Sequence, residues 1–200
     1  MTWIDTVPYS KAQGLLKTLY NRIKGPNDNV DNIMQAHSLR PHTMEAHLAL
    51  YKAVLHNNGN TLPPWFLEVL GLHVSLLNRC DYCVEHHYQG LRRRLQDDAR
   101  AERIREALEA RYPARALDGR ESAAVTYAEK LTRDPAGLRA EDISLLNEAG
   151  FDDGHILEIN QVVSYFAYAN RTVLGLGITK LGDVLGLSPS SDNPGDWSHR

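Results

Sequence analysis

The stretch Glu68-Val69-Leu70-Gly71-Leu72-His73-Val74-Ser75-Leu76-Leu77-Asn78-Arg79-Cys80-Asp81-Tyr82-Cys83-Val84-Glu85-His86-His87 decides how this chain is read. Cys80 and Cys83 are the only two cysteines of the 200 residues. A disulfide across so short a loop removes little entropy from the unfolded chain, so a structural staple is a poor explanation. The pair points instead to redox chemistry or to metal. At the first turn of a helix, free backbone N–H groups and the positive dipole end favour thiolate over thiol. The i, i+3 spacing puts both sulfurs on one face, close enough to exchange a disulfide. His87 stands four positions after Cys83 on that face, placed to carry a proton to or from sulfur. His86 is the weaker candidate.

Glu68 enters by a geometric argument. In one straight helix it would lie roughly 18 Å from Cys80, at about 1.5 Å per residue. A chain that folds back near Asn78-Arg79 instead makes two antiparallel helices, and a residue ten before the turn then faces one eight to ten after it. That brings Glu68 to His87, where a carboxylate orients and charges the imidazole. The expected constellation is Glu68, His87 and the cysteine pair, and it requires the turn.

Working outward, the periodicity is helical throughout, with no strand-like alternation. Ser10-x-x-Gln13 reads as a capping-box start, with Leu15, Leu16, Leu19 and Ile23 at helical spacing and Gly25 as a stop. A short helix is expected over residues 30–39. Pro41 opens a longer one carrying Met44, Leu48, Tyr51 and Leu55, and Asn57-Asn58-Gly59 ends it. Pro63-Pro64 starts the helix that reaches Asn78, and another runs from the cysteines to about Leu95. Further helices are expected over 98–110, 121–133, 140–149 and 152–176, with a loop from Arg111-Tyr112-Pro113 to Gly119. The expectation is an all-α fold: one domain over residues 1–187, then a turn-rich tail, 188–200, that is flexible or contacts a neighbouring subunit.

Composition narrows the function classes. Hydrophobic residues make up 42% and charged residues 24%, a normal globular balance. A net charge of −3 excludes a strongly basic footprint for nucleic acid. No apolar run approaches the roughly 20 residues of a membrane span; the best, residues 65–77, contains Glu68 and His73. Met1-Thr2-Trp3-Ile4-Asp5 has neither a basic nor an apolar leader region, so a cytoplasmic location is the default expectation. Arg92-Arg93-Arg94 reads as a solvated face with intrahelical pairs. H-E-x-x-H, G-x-S-x-G and Walker patterns are absent.

Glu-x11-Cys-x-x-Cys-x3-His, preceded by a Leu-Pro helix start and Val-Ser-x-x-Asn, resembles the alkylhydroperoxidase AhpD family of the carboxymuconolactone decarboxylase-like superfamily, in its peroxidase-related branch. The resemblance extends to Pro41 and His47 upstream and to Tyr168-Ala169-Asn170-Arg171 with Leu174-Gly175 downstream. It implies an AhpD-like multi-helix domain whose helix hairpin carries the C-x-x-C at a helix N-terminus. It further implies that Cys83 is the peroxidatic cysteine, oxidised to a sulfenic acid. Cys80 would donate a proton and then resolve that acid as a disulfide, with Glu68 and His87 as a proton relay. The implied substrate is a hydroperoxide, the implied reductant a lipoyl or thioredoxin-like dithiol protein, and the implied assembly a homo-oligomer. No bound cofactor or metal is required, and neither nucleic acid nor membrane is an expected partner. One departure stands out. The family usually has a histidine just before the second cysteine, and this chain has Tyr82, whose phenol, with a pKa of about 10, is no base at neutral pH. That implies a shorter relay or weak peroxide activity.

Two other readings stay open at this level. A lyase of the decarboxylase side of the superfamily, acting on a lactone-like acid, would have no need of a dithiol. A zinc-stabilised non-catalytic module would use Cys80, Cys83 and His86 or His87, and must find a fourth ligand elsewhere. His73 reads as a core or interface histidine. Asn170 and Arg171 yield no chemical role.

Overall fold

A computed structural model describes residues 2–189 and 196–199. In chain order the α-helices are α1 (Gly14–Ile23), α2 (Asn32–Ala36), α3 (Pro41–Leu55), α4 (Pro64–Leu77), α5 (Asp81–Leu95), α6 (Asp98–Glu109), α7 (Gly119–Arg133), α8 (Ala140–Glu148) and α9 (Asp153–Leu176). Among the described residues the only β-pairing is one isolated antiparallel bridge, Pro189 to His199. The fold is all-α, as expected. No helix among these residues is long and apolar enough to cross a membrane.

α4 is the axis of the molecule. Every residue from Phe66 to Ser75 is buried, and a helix apolar on all faces must be covered on all faces. α5, α6, α7 and α9 pack around it, with α3 against α9. Pro41 and Pro64 occupy the first positions of α3 and α4, where a missing N–H costs nothing.

The turn that the site depends on is a Schellman closure. α4 ends at Asn78, and Arg79 adopts the left-handed conformation (φ +56°). The Cys80 N–H donates to the Ser75 carbonyl at 2.9 Å and the Arg79 N–H to the Leu76 carbonyl at 3.1 Å, the pair of bonds that defines the motif. Cys80 is at once the last residue of this closure and the N-cap of α5. The chain therefore reverses within two residues, and α4 and α5 form the expected antiparallel hairpin.

Three boundaries differ from the sequence reading. Tyr9–Lys11 closes a single 3-10 turn on Pro8, Ala12 is extended and buried, and α1 starts at Gly14 without a side-chain cap. The Ser10 capping box is thus absent, because the chain straightens to bury Ala12. Over 30–39 only Asn32–Ala36 is α-helical; the Asn32 N–H is held by the Asp183 carboxylate, which fixes the helix start. α7 begins two residues earlier than expected, because Asp118 and Glu121 cap each other reciprocally. Of the tail from 188 onward, residues 190–195 lie outside the described residues. Residues 196–199 run back along α1 and α3: Arg22 covers the Trp197 ring, and Lys52 Nζ donates to the Asp196 carbonyl at 2.6 Å.

Candidate active site

The hairpin places Glu68 and His87 face to face. Glu68 Oε2 lies 2.7 Å from His87 Nδ1, and the Glu68 side chain is 4% exposed. A carboxyl group at that depth is tolerated only with a partner. Gly90, one turn beyond His87, makes the room: a Cβ there would lie 2.9–3.0 Å from the Glu68 carboxyl atoms. Gly71 has the equivalent function on α4. A Cβ at Gly71 would strike the Phe166 ring at 2.2 Å, and Phe166 sets its ring edge-on to His87 (centroids 4.5 Å apart, 85°). The imidazole is therefore fixed by a carboxylate on one side and an aromatic ring on another.

The two sulfurs are 2.8 Å apart as free thiols. They differ in environment. The contact with Cys83 lowers the Cys80 thiol below its ordinary range, and the Cys83 backbone N–H adds to this. Burial, followed by the contact with Cys80, pushes the Cys83 thiol well above it. The direction expected at a helix start is thus kept at Cys80, chiefly through Cys83 and less through the backbone N–H, and is overridden by desolvation at Cys83. Opposing that penalty, the Asn170 side chain hydrogen-bonds the Cys83 sulfur and favours its anion. Asn170 is fully buried. Its Oδ1 accepts from Asn78 Nδ2 at 2.9 Å and its Nδ2 donates to Ser75 Oγ at 3.1 Å. Asn170 is thus tied to the end of α4 beside the sulfur, a role its place in the sequence did not reveal.

Cys83, Glu68 and His87 all line one cavity of about 50 Å³, and Cys80 does not. That volume holds roughly three water-sized groups. Cys80 borders a separate groove of about 330 Å³, between the start of α5 and the end of α9, that also carries Arg79 and Lys180. The cavity has a second polar wall. Tyr82 donates its hydroxyl to Asp183 Oδ2 at 2.7 Å, and His86 Nε2 lies 3.4 Å from the same oxygen. Tyr82 and His86 stack with centroids 4.5 Å apart. Burial holds the Tyr82 phenol well above its ordinary range, so it is a neutral donor and takes no part as a base. Asp31 lines this wall too, its carboxyl raised by burial and countered by His199 and His86. From α3, His47 approaches Tyr165 Oη at 3.2 Å and is kept neutral, its pKa lowered by burial to about 3. Sequence reasoning missed Gly90, Asp31, Asp183 and His199; only Gly90, three residues past His87, carried a local signal.

His73 is buried in α4, its Nε2 3.8 Å from Glu129 Oε2 on α7, away from the cysteines. Among the described residues no group of three or more His, Cys, Asp or Glu side chains is arranged to hold a metal ion. His86 is turned to Asp183 and His87 to Glu68, so neither completes a set with the sulfurs.

Fold and site together define an all-helical dithiol protein built on a central hairpin. Residues 41–130 match the carboxymuconolactone decarboxylase family. The chain is similar in structure to the AhpD-core, peroxidase-related protein of Ralstonia eutropha JMP134 (TM-score 0.76, 20% identity, 90% of this chain and 92% of that one). It is also similar to a peroxidase-related protein of Silicibacter sp. TM1040 (TM-score 0.73, 23% identity, 91% and 95%). A third similar structure is the debrominase Bmp8 in complex with 2,3,4-tribromopyrrole (TM-score 0.69, 15% identity, 90% and 92%). These likenesses establish the fold. No curated protein matches the sequence. The chain therefore has an AhpD-like fold, and its residues 41–130 are similar to the carboxymuconolactone decarboxylase family.

Proposed function

We propose that this protein is a thiol-dependent hydroperoxide reductase in which Cys83 is the nucleophile, Cys80 the resolving cysteine, and Glu68 and His87 the proton relay. The observation that carries the reading is the 2.7 Å Glu68–His87 contact opening into the same cavity as Cys83. A structural carboxyl–imidazole pair has no need to face a thiol. The small size of the cavity suits a peroxide group.

In the oxidative half-reaction, which reduces the peroxide, the Cys83 proton passes to the Cys80 thiolate across the 2.8 Å contact, and Asn170 steadies the anion left on Cys83. That thiolate attacks the terminal peroxide oxygen. An S–O bond forms and the O–O bond breaks, leaving Cys83 sulfenic acid and an alkoxide that takes a proton from the His87–Glu68 pair. Cys80 sulfur then attacks the sulfenic sulfur; the disulfide forms and water leaves. An external dithiol, of the lipoyl or thioredoxin-like kind, returns two electrons and two protons. It reaches the disulfide at Cys80 from the groove beside Arg79 and Lys180. A lyase on the same scaffold would leave the dithiol without work. The expected assembly is a homo-oligomer, since α9 exposes Leu157 and Tyr168 along one face and Leu174 about a third of a turn away.

The test is dithiol-dependent consumption of an organic hydroperoxide by the full chain, with Cys83→Ser as control. Turnover that disappears in the variant supports the assignment. Equal turnover by the variant, or full lyase activity after both cysteines become serine, overturns it.

A further inference from the structure

The cavity at Cys83 is closed on its remaining side by residues near the end of the chain. Gly186, Leu187, Ser188 and His199 line it. Their seating is tight, and glycines on both sides of the contact permit it. Gly186 is left-handed (φ +74°), and a Cβ there would lie 2.6 Å from Gln89 Cβ and 3.1 Å from the Gly90 nitrogen. Gly25 leaves the space that Leu187 Cδ1 and the His199 carbonyl occupy, 3.0 and 3.1 Å from where its Cβ would stand. His199 donates its backbone N–H to the Ile23 carbonyl at 3.3 Å, and its Nδ1 lies 3.0 Å from the same oxygen. A carbonyl accepts only, so Nδ1 carries hydrogen. The ring lies parallel to Tyr51 (9°, centroids 6.3 Å) and is buried.

These residues are anchored on the end of α1, which carries no part of the reaction on the proposed scheme, and on α5 at Gln89 and Gly90, beyond His87. Leu187 and His199 meet over Gly25 and border the same cavity. We infer that Leu187 and His199 form the specificity wall of the thiol site, confining it to hydrogen peroxide and short, unbranched hydroperoxides and excluding bulky aryl or tertiary ones. The substrate class rests on the peroxidase reading; the steric limit applies to any reagent that must reach the Cys83 sulfur.

The experiment therefore reads access first and turnover second. Reduced full-length protein is alkylated with iodoacetamide or with N-benzylmaleimide, and labelling of the Cys83 peptide is followed by mass spectrometry. In the Leu187→Ala and His199→Ala variants the bulky-to-small rate ratio at Cys83 should rise at least about tenfold, the low end of what one methylene of pocket wall is worth. The cumene hydroperoxide to hydrogen peroxide ratio of kcat/KM should move the same way. Ser188→Leu narrows the cavity from a partly exposed position, so it should lower the ratio without threatening the fold. An unchanged labelling ratio in folded Leu187→Ala, His199→Ala and Ser188→Leu overturns the wall. A wild type that labels at Cys83 yet consumes no peroxide overturns the peroxidase reading, while the labelling ratios still decide the wall.

Discussion

His86 and His87 are neighbours in the chain and serve opposite walls of one cavity. His87 turns to Glu68, its partner across a two-residue reversal. His86 turns to Asp183, which Tyr82 reaches across 101 positions of sequence. One wall is local and carries the proton chemistry beside sulfur. The other is assembled from α2, the loop after α9 and the residues near 199, and it shapes the space. A single helical step of about 100° separates the two functions. A helix starting with a reactive pair can thus serve a relay on one face and a binding wall on the next.

The largest effect that should separate the walls is on turnover. Glu68→Gln is expected to lower kcat for hydroperoxide by about 10²-fold, the low end of what a positioned proton donor contributes. Asp183→Asn should cost less than about tenfold and act mainly on KM. Equal losses in the two variants, measured by steady-state kinetics on folded protein, would erase the distinction between relay and wall.

Acid stability sharpens the comparison from the neutral side. Burial lowers His47 to about 3 and His73 to about 4. Below about pH 6.5 the unfolded chain takes up protons at both that the folded protein refuses, so stability falls as pH drops towards those values. Between pH 7 and 5 each should cost about 2 kcal/mol of unfolding free energy in urea titrations. His47→Asn should remove about that much of the slope, and an unaltered slope would show that His47 protonates in the folded state.

A smaller change probes the local wall by volume alone. Gly90→Ala puts a methyl against the Glu68 carboxyl and should destabilise by about 1–2 kcal/mol. It should also lower kcat, because Glu68 must leave His87. Full activity with a shifted Tm would place the strain elsewhere than on the relay.

The smallest effect is at the turn. Arg79 holds a left-handed conformation that glycine adopts without cost. Arg79→Gly should raise stability by less than about 1 kcal/mol, read as a small rise in Tm, with the relay intact. A loss of stability would mean that the Arg79 side chain contributes more than its backbone strain takes away.

The same contrast explains what was legible in the sequence. Helix count and order could be read because prolines at Pro41 and Pro64, and apolar periods between them, mark elements locally. Glu68 and His87 could be paired because a tight reversal at Asn78-Arg79 fixes the register of two antiparallel helices. The Ser10 start misled because burial of Ala12 outweighs a capping pattern. Asp31, Asp183 and His199 left no signal, since nothing near each of them in sequence marks a site; only packing of distant segments brings them to Tyr82 and His86. Asn170 was visible as a residue within an apolar helix and opaque in purpose, because its partners Ser75 and Asn78 lie at the end of another helix. The tyrosine before Cys83 could be read as a lost base, whereas its bond to Asp183 makes it a strut of the second wall.

The most direct test of the central claim is a single-turnover oxidation of the reduced protein. One equivalent of hydrogen peroxide should be consumed per chain, with a mass loss of about two hydrogens and a Cys80–Cys83 disulfide in the peptide map. Cys80→Ser should instead stop at a sulfenic acid on Cys83, trapped by dimedone. Well-folded, fully reduced wild type that consumes no peroxide, or a sulfenic acid found on Cys80, would contradict the account.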